Sequence, residues 1–194
     1  MLGEEQSGHI REVGFELYQS MLEEAIASMK GGDTGEVETK WSPQIALGTA
    51  VLIPEAYVGD LQVRLGLYRR LSFLDKREEI DAFAAELVDR FGTLPSEVYH
   101  LLDVVEIKAL CRRAGIAQVD AGPKGAVIAF RRGVFANPEA LVAFVQASKG
   151  HVKVQPDMRL VYRADWDQPE ARLKGVRALV LDLAHMAEGV RKAA

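Results

Sequence analysis

The chain has 194 residues, 48% of them hydrophobic, and its 28 acidic and 24 basic side chains leave a formal net charge of −4 at pH 7. That supplies core enough for one generous domain or two small ones, while charges of both signs mixed along the chain build no field that would attract a phosphate backbone, so duplex binding is not expected. Cys111 is the only cysteine, which rules out an intrachain disulfide and fits a reducing, cytoplasmic setting.

The opening stretch LGEEQSGHI, residues 2–10, sets two glycines around acid and amide side chains, with Ser7 or Gly8 as a helix start. It lacks the basic flank and apolar block of a signal peptide, and no later apolar run nears the roughly 20 residues that span a bilayer. The expectation is a soluble, unexported chain with no membrane partner. Over residues 10–30, Ile10, Val13, Leu17, Met21, Leu22, Ala25, Ile26 and Met29 fall at helical spacings, which predicts a long helix with one buried stripe. Residues 31–40, GGDTGEVETK, have no apolar period; they predict a flexible linker and place the domain boundary there, with one domain over 41–194.

Residues 45–53 are rich in small and β-branched side chains and end at Pro54, the pattern of a strand followed by a break. Helical spacing returns over 60–74 through Leu61, Leu65, Tyr68 and Leu71. Asp75 with Glu78 forms a capping-box pattern for a helix burying Ile80, Phe83, Ala84, Leu87 and Phe91, which Gly92 can end in a left-handed conformation. Pro95 suits a first helical turn, and the next helix runs through Val98, Leu101, Leu102, Val105 and Leu110 to Gly115.

Beyond Gly115 the character changes. IAQVD and AVIAFR flank the turn-rich AGPKG, so 116–131 predicts a β-hairpin. Asn137 and Pro138 cap and begin a short helix to about Ser148, HVKVQ and RLVYRA predict two more strands around PDM, and 169–192 a last helix with Leu173, Val176, Leu179, Val180, Leu183, Ala187 and Val190 on one face. Helices and strand pairs are segregated rather than alternating. The expected fold is α+β: helices packed with a small, mostly antiparallel sheet, preceded by the long N-terminal helix.

Catalytic signatures are absent: the chain has no GxxxxGK[ST], GxGxxG, HExxH or GxSxG. GPKG, at 122–125, has a lysine between glycines but sits in a hairpin rather than between strand and helix, so it reads as a turn. His9, His100, His151 and His185 are far apart and none has a second ligand at helical spacing, so they are read as surface or cap residues. Cys111, inside a helix, is read as a half-buried packing residue. The arginine pairs 69–70, 112–113 and 131–132 are offset by neighbouring acids. One feature could carry binding: Glu79, Glu86 and Asp89, spaced seven and three apart, make a narrow acidic stripe suited to a basic partner if it is more than solvated surface.

Several stretches resemble one family. GEEQSGHIREVGFELYQSMLEEAI, IPEAYVGDLQVRLGLYRRL and AELVDRFGTLP are similar to the C-terminal region of the bacterial transcription-repair coupling factors (Mfd). The pattern YxxDxxxRLxLYxRL over 57–71 and ELxDRFGxLP over 86–95 occur in the order and at the spacing of that family's terminal domain. The first segment resembles the end of the translocation motif shared with RecG-type helicases. The resemblance implies that Gln6 matches the motif's glutamine, while its arginine companions would lie before Met1.

In that family the whole protein is an ATP-dependent DNA translocase that displaces stalled RNA polymerase and recruits nucleotide-excision repair. Its terminal domain restrains it by packing on the N-terminal, damage-recognition-like module of the same protein. The resemblance therefore implies a regulatory, non-catalytic domain, with ATP and magnesium belonging to the parent motor and no cofactor or metal of its own. RNA polymerase, DNA and repair proteins would be reached through the parent. Glu79, Glu86 and Asp89 would be candidates for the intramolecular contact, since the masked module uses basic residues. The alternative is a stand-alone α+β enzyme or ligand-binding domain with a cleft site at Cys111 or a carboxylate pair.

Overall fold

A computed structural model describes residues 41–49 and 51–191. The helix expected over 10–30, the linker expected over 31–40, and Gln6 and His9 lie outside the described residues. The described residues form two compact units, one of 51–105 and one of 41–49 with 106–191, within the stretch read from sequence as one domain.

The first unit contains helices α1 (Leu61–Leu71) and α2 (Arg77–Phe91) and the start of α3 (Ser96–Ala114). Asp60 opens α1 as its N-cap, its carboxylate accepting from the Val63 N–H at 2.9 Å. The start of α2 is displaced by one residue from the expected Asp75 and Glu78 pair: Lys76 is the N-cap, and Glu79 reaches back to accept from the N–H groups of Asp75 and Lys76. A lysine cap offers no acceptor, so only the glutamate half of a capping box operates. Gly92 ends α2 at φ 87 and ψ −163, a region beyond the left-handed helical well that favours glycine more strongly still. Pro95 lies just before α3 rather than in its first turn, its carbonyl accepting from Val98 and Tyr99. Leu67 and Leu71 of α1, Ile80, Phe83 and Leu87 of α2, and Val98, Leu101 and Val105 of α3 make the core with Ile53 and Val58. Each such side chain contributes about 1.5–3 kcal/mol by leaving water.

The second unit is built on five strands, β1 (Gln44–Ala46), β2 (Ile116–Gly122), β3 (Gly125–Phe130), β4 (Val152–Val154) and β5 (Leu160–Arg163), in the order β1-β2-β3-β5-β4. Only β1 and β2 pair in parallel; the other three pairings are antiparallel. Helices α4 (Pro138–Ala147) and α5 (Pro169–Arg191) complete the unit. The fold is α+β with a small, mostly antiparallel sheet. Gly115, at φ 69, lets the chain turn directly from α3 into β2, and Gly122 faces Gly125 across the Pro123–Lys124 turn. Asn137 caps α4 at the Ala140 N–H, 3.0 Å away.

The strand expected over 45–53 shrinks to Gln44–Ala46. Gly48, at φ 63, breaks the extended run, so Ile45 and Leu47 are buried in the second unit and Ile53 in the first. Buried Arg172 then anchors that break, donating to the carbonyls of Leu47 at 2.7 Å, Trp166 at 3.3 and 3.4 Å, and Asp167 at 3.4 Å. A buried guanidinium is tolerable because these carbonyl dipoles replace its water.

Candidate interaction surface

The two family-like motifs meet in the first unit, and most of their polar residues stitch it together. Tyr57 donates its hydroxyl hydrogen between the carbonyls of Leu87 at 3.0 Å and Gly92 at 2.9 Å, at the C-terminal end of α2. Its ring meets Phe91 edge-on at 5.8 Å. Burial, then the nearby Tyr99, push the Tyr57 hydroxyl pKa above its ordinary value. Arg64 donates to the carbonyls of Val58 at 2.6 Å and Gly59 at 3.2 Å, tying α1 to the loop before it. The buried Tyr68 hydroxyl accepts from the Ile53 N–H at 2.7 Å, and burial raises its pKa.

Arg70 of the first motif and Glu86 of the second form a bidentate pair at 2.7 and 2.6 Å, and Arg90 adds a third bond to Glu86 at 2.9 Å. Both guanidiniums lie over aromatic rings, Arg70 over Phe83 at 5.0 Å and Arg90 over Phe91 at 4.8 Å. Hydrogen bonds from Arg70, then Arg90, hold the Glu86 carboxyl down at about 2.

The acidic stripe thus has three different members. Glu86 is clasped by two arginines, Glu79 closes the N-terminus of its own helix, and Asp89 is exposed. Helical spacing correctly puts the three on α2, and the Glu86–Arg90 pair is a readable i, i+4 signal. Arg70, which neutralises Glu86 from another helix, leaves no local trace in the sequence.

Elsewhere, Cys111 is fully buried rather than half-buried, and burial pushes its thiol up to about 12. It stays protonated and out of reach, so it supplies no nucleophile. His151 and His185 are exposed and His100 is partly so. Among the described residues there is no group of three or more His, Cys, Asp or Glu able to hold a metal, and no helix long and apolar enough to cross a membrane. The arginine pairs are dispersed: Arg113 pairs with Glu188 at 2.7 and 2.9 Å, and Arg131 lies over the Trp41 ring at 5.1 Å.

Residues 47–141 match the family model of the TRCF domain. The chain is 44% identical over 162 residues to the transcription-repair-coupling factor of Rickettsia conorii, covering 84% of this chain. The chain belongs to the TRCF-domain family. It is also 31% identical over 185 residues to the transcription-repair-coupling factor of Escherichia coli K12, covering 94% of this chain. The aligned part is 14% of the Rickettsia protein and 16% of the Escherichia one, so this chain spans about a seventh of such relatives. The fold of a crystal structure titled as the C-terminal domain of transcription-repair coupling factor agrees with a TM-score of 0.63 at 20% identity, covering 77% of this chain and 96% of that one. The TRCF-family match takes in Arg70 and Glu86, which join α1 to α2, and Tyr57 and Gly92, which tie the loop before α1 to the end of α2.

Proposed function

We propose that this chain is the C-terminal regulatory domain of a transcription-repair coupling factor, restraining its parent by intramolecular contact with an N-terminal, damage-recognition-like module. The TRCF-domain match over 47–141 carries this reading. The parent would be an ATP-dependent DNA translocase of the cytoplasm that displaces stalled RNA polymerase and recruits nucleotide-excision repair, with ATP and magnesium held by its motor. In this reading Gln6 ends the translocation motif, 1–30 leads from the motor, 31–40 is the linker and 41–194 the regulatory domain.

The acidic stripe is the proposed contact surface. With Glu86 occupied by Arg70 and Arg90 and Glu79 engaged at the helix start, exposed Asp89 is the acid poised for a basic partner. The test is calorimetric titration of the chain with the N-terminal module of its parent. Binding that weakens as salt rises, and that Asp89→Lys weakens further, is expected. Absence of binding at low salt overturns the regulatory reading; binding indifferent to Asp89→Lys overturns only the acidic-contact assignment.

A further inference from the structure

Residues 41–49 belong to the second unit, yet the chain that follows them builds the first unit and returns only at residue 106. Strand β1 is therefore held to its sheet by tertiary contact rather than by a neighbouring turn. It lies at the sheet edge and pairs with β2 over Gln44–Ala46 alone. Pro43, Ile45 and Leu47 are buried, while Gln44, Ala46 and Gly48 face solvent. Two arginines from the body of the unit catch this segment at its ends. At one end Arg131 lies over the Trp41 ring at 5.1 Å. At the other, Arg172 of α5 donates to the Leu47 carbonyl at 2.7 Å, and its remaining bonds, to the carbonyls of Trp166 and Asp167, are longer at 3.3 and 3.4 Å. These acceptors are all neutral, and Arg172 sits in the first turn of α5, where the helix dipole opposes a cation. A buried guanidinium so placed depends on the Leu47 carbonyl more than on any other group. Gly48 permits the close approach: its φ is 63, and a Cβ there would stand 3.1 Å from Nη1 of Arg172.

We propose that residues 41–49 are a releasable strap: β1 leaves and rejoins the edge of β2 as a unit while the rest of the second unit stays folded, and the bond from Arg172 to Leu47 sets how often it does so. Chain connectivity favours this opening over others in the sheet. Strands β2, β3, β5 and β4 keep their own antiparallel pairings when β1 leaves. Docked, the strap fixes the chain before Trp41 to the second unit. Released, it lets that chain range up to about 30 Å from the start of the first unit. For the intramolecular restraint proposed above, on which this consequence rests, greater freedom of the tether changes the effective concentration of the restraining contact.

The experiment is native-state amide exchange of the full chain over a range of urea below its unfolding transition, with Arg172→Met and Gly48→Ala as variants. In the unmodified chain, amides bonded between β1 and β2 are expected to exchange through an opening that urea barely accelerates, whereas those between β3 and β5 exchange through a larger, urea-sensitive one. Arg172→Met should speed exchange of the β1–β2 amides about tenfold. The gap between the two openings should stay the same, because the bond removed is absent from the strap-released state as well as from the unfolded one. Gly48→Ala should speed the same amides from the strap's own side. The proposal is overturned if the β1–β2 amides share the urea dependence of β3 and β5, or if the variants speed exchange between β3 and β5 without speeding it between β1 and β2. No partner is present in this measurement, so its failure is separate from failure of the calorimetric titration that tests the regulatory reading.

Discussion

Arg70 on α1 grips Glu86 on α2 through two hydrogen bonds of 2.7 and 2.6 Å across sixteen residues of sequence. With Arg90 as a third member, the pair makes a network in which one carboxylate holds two guanidiniums together. Glu86→Ala removes the shared acid and leaves two like charges side by side. The side chains are one-third to one-half exposed, so solvent screening keeps the expected loss to about 1 kcal/mol. Urea unfolding should show a lower midpoint with an unchanged slope. Arg70→Ala combined with Glu86→Ala should cost less than the two single losses added together.

The same network makes stability depend on pH in acid. Glu86 titrates at about 2 in the folded chain against an ordinary value of 4.5, so the unfolded chain binds more protons between those values. Its contribution is fully present above the ordinary value and is lost as pH falls toward the folded one. Thermal melts of the wild type should decline over that window more steeply than those of Glu86→Gln, which has no proton to take up at this position. Equal slopes would mean that the network does not set the acid limit.

Gly175 has a packing reason to be glycine inside a helix. A Cβ there would overlap the indole of Trp166, which is itself stacked on Tyr162 with ring centroids 5.5 Å apart. Alanine would gain about 1 kcal/mol of helix propensity, but the overlap forces Trp166 out of place at a cost of about 1–3 kcal/mol. Gly175→Ala should therefore destabilise on balance and red-shift tryptophan emission as the indole meets water. A stabilised variant with unchanged emission would contradict this packing.

Cys111 should be silent toward thiol reagents while the chain is folded. Its side chain is inaccessible and burial holds its thiol up at about 12, so little thiolate exists near neutrality. Labelling by a disulfide reagent is expected to track global unfolding and to accelerate in denaturant. Rapid labelling under native conditions would show that α3 opens locally around it.

Elements marked by local chemistry were legible in the sequence. Gly115 and the AGPKG turn announced the hairpin, and Asn137 with Pro138 announced α4, which the structure places at Pro138–Ala147. A helix start or a tight turn is decided by a few neighbouring backbone groups and the side chains beside them. The run 45–53 was less legible, because β-branched composition says that extended backbone is favoured but not where a positive φ at Gly48 will interrupt it. The helix start at Lys76 differed by one residue because Glu79, rather than Glu78, reached the free N–H groups.

By itself the sequence determined the class of fold, the positions of most helices and strands, and the family, since periodicity, caps and motif order are properties of neighbouring residues. Tertiary structure alone decided that β1 runs parallel to β2, that Arg70 would claim Glu86, that Asp89 would be left to solvent, and that Val127 of β3 would face Val161 of β5. Those outcomes depend on groups brought together from distant parts of the chain. Spacing puts a carboxylate on a helix face; the neighbour that folding delivers to it decides whether it is spent or free to bind.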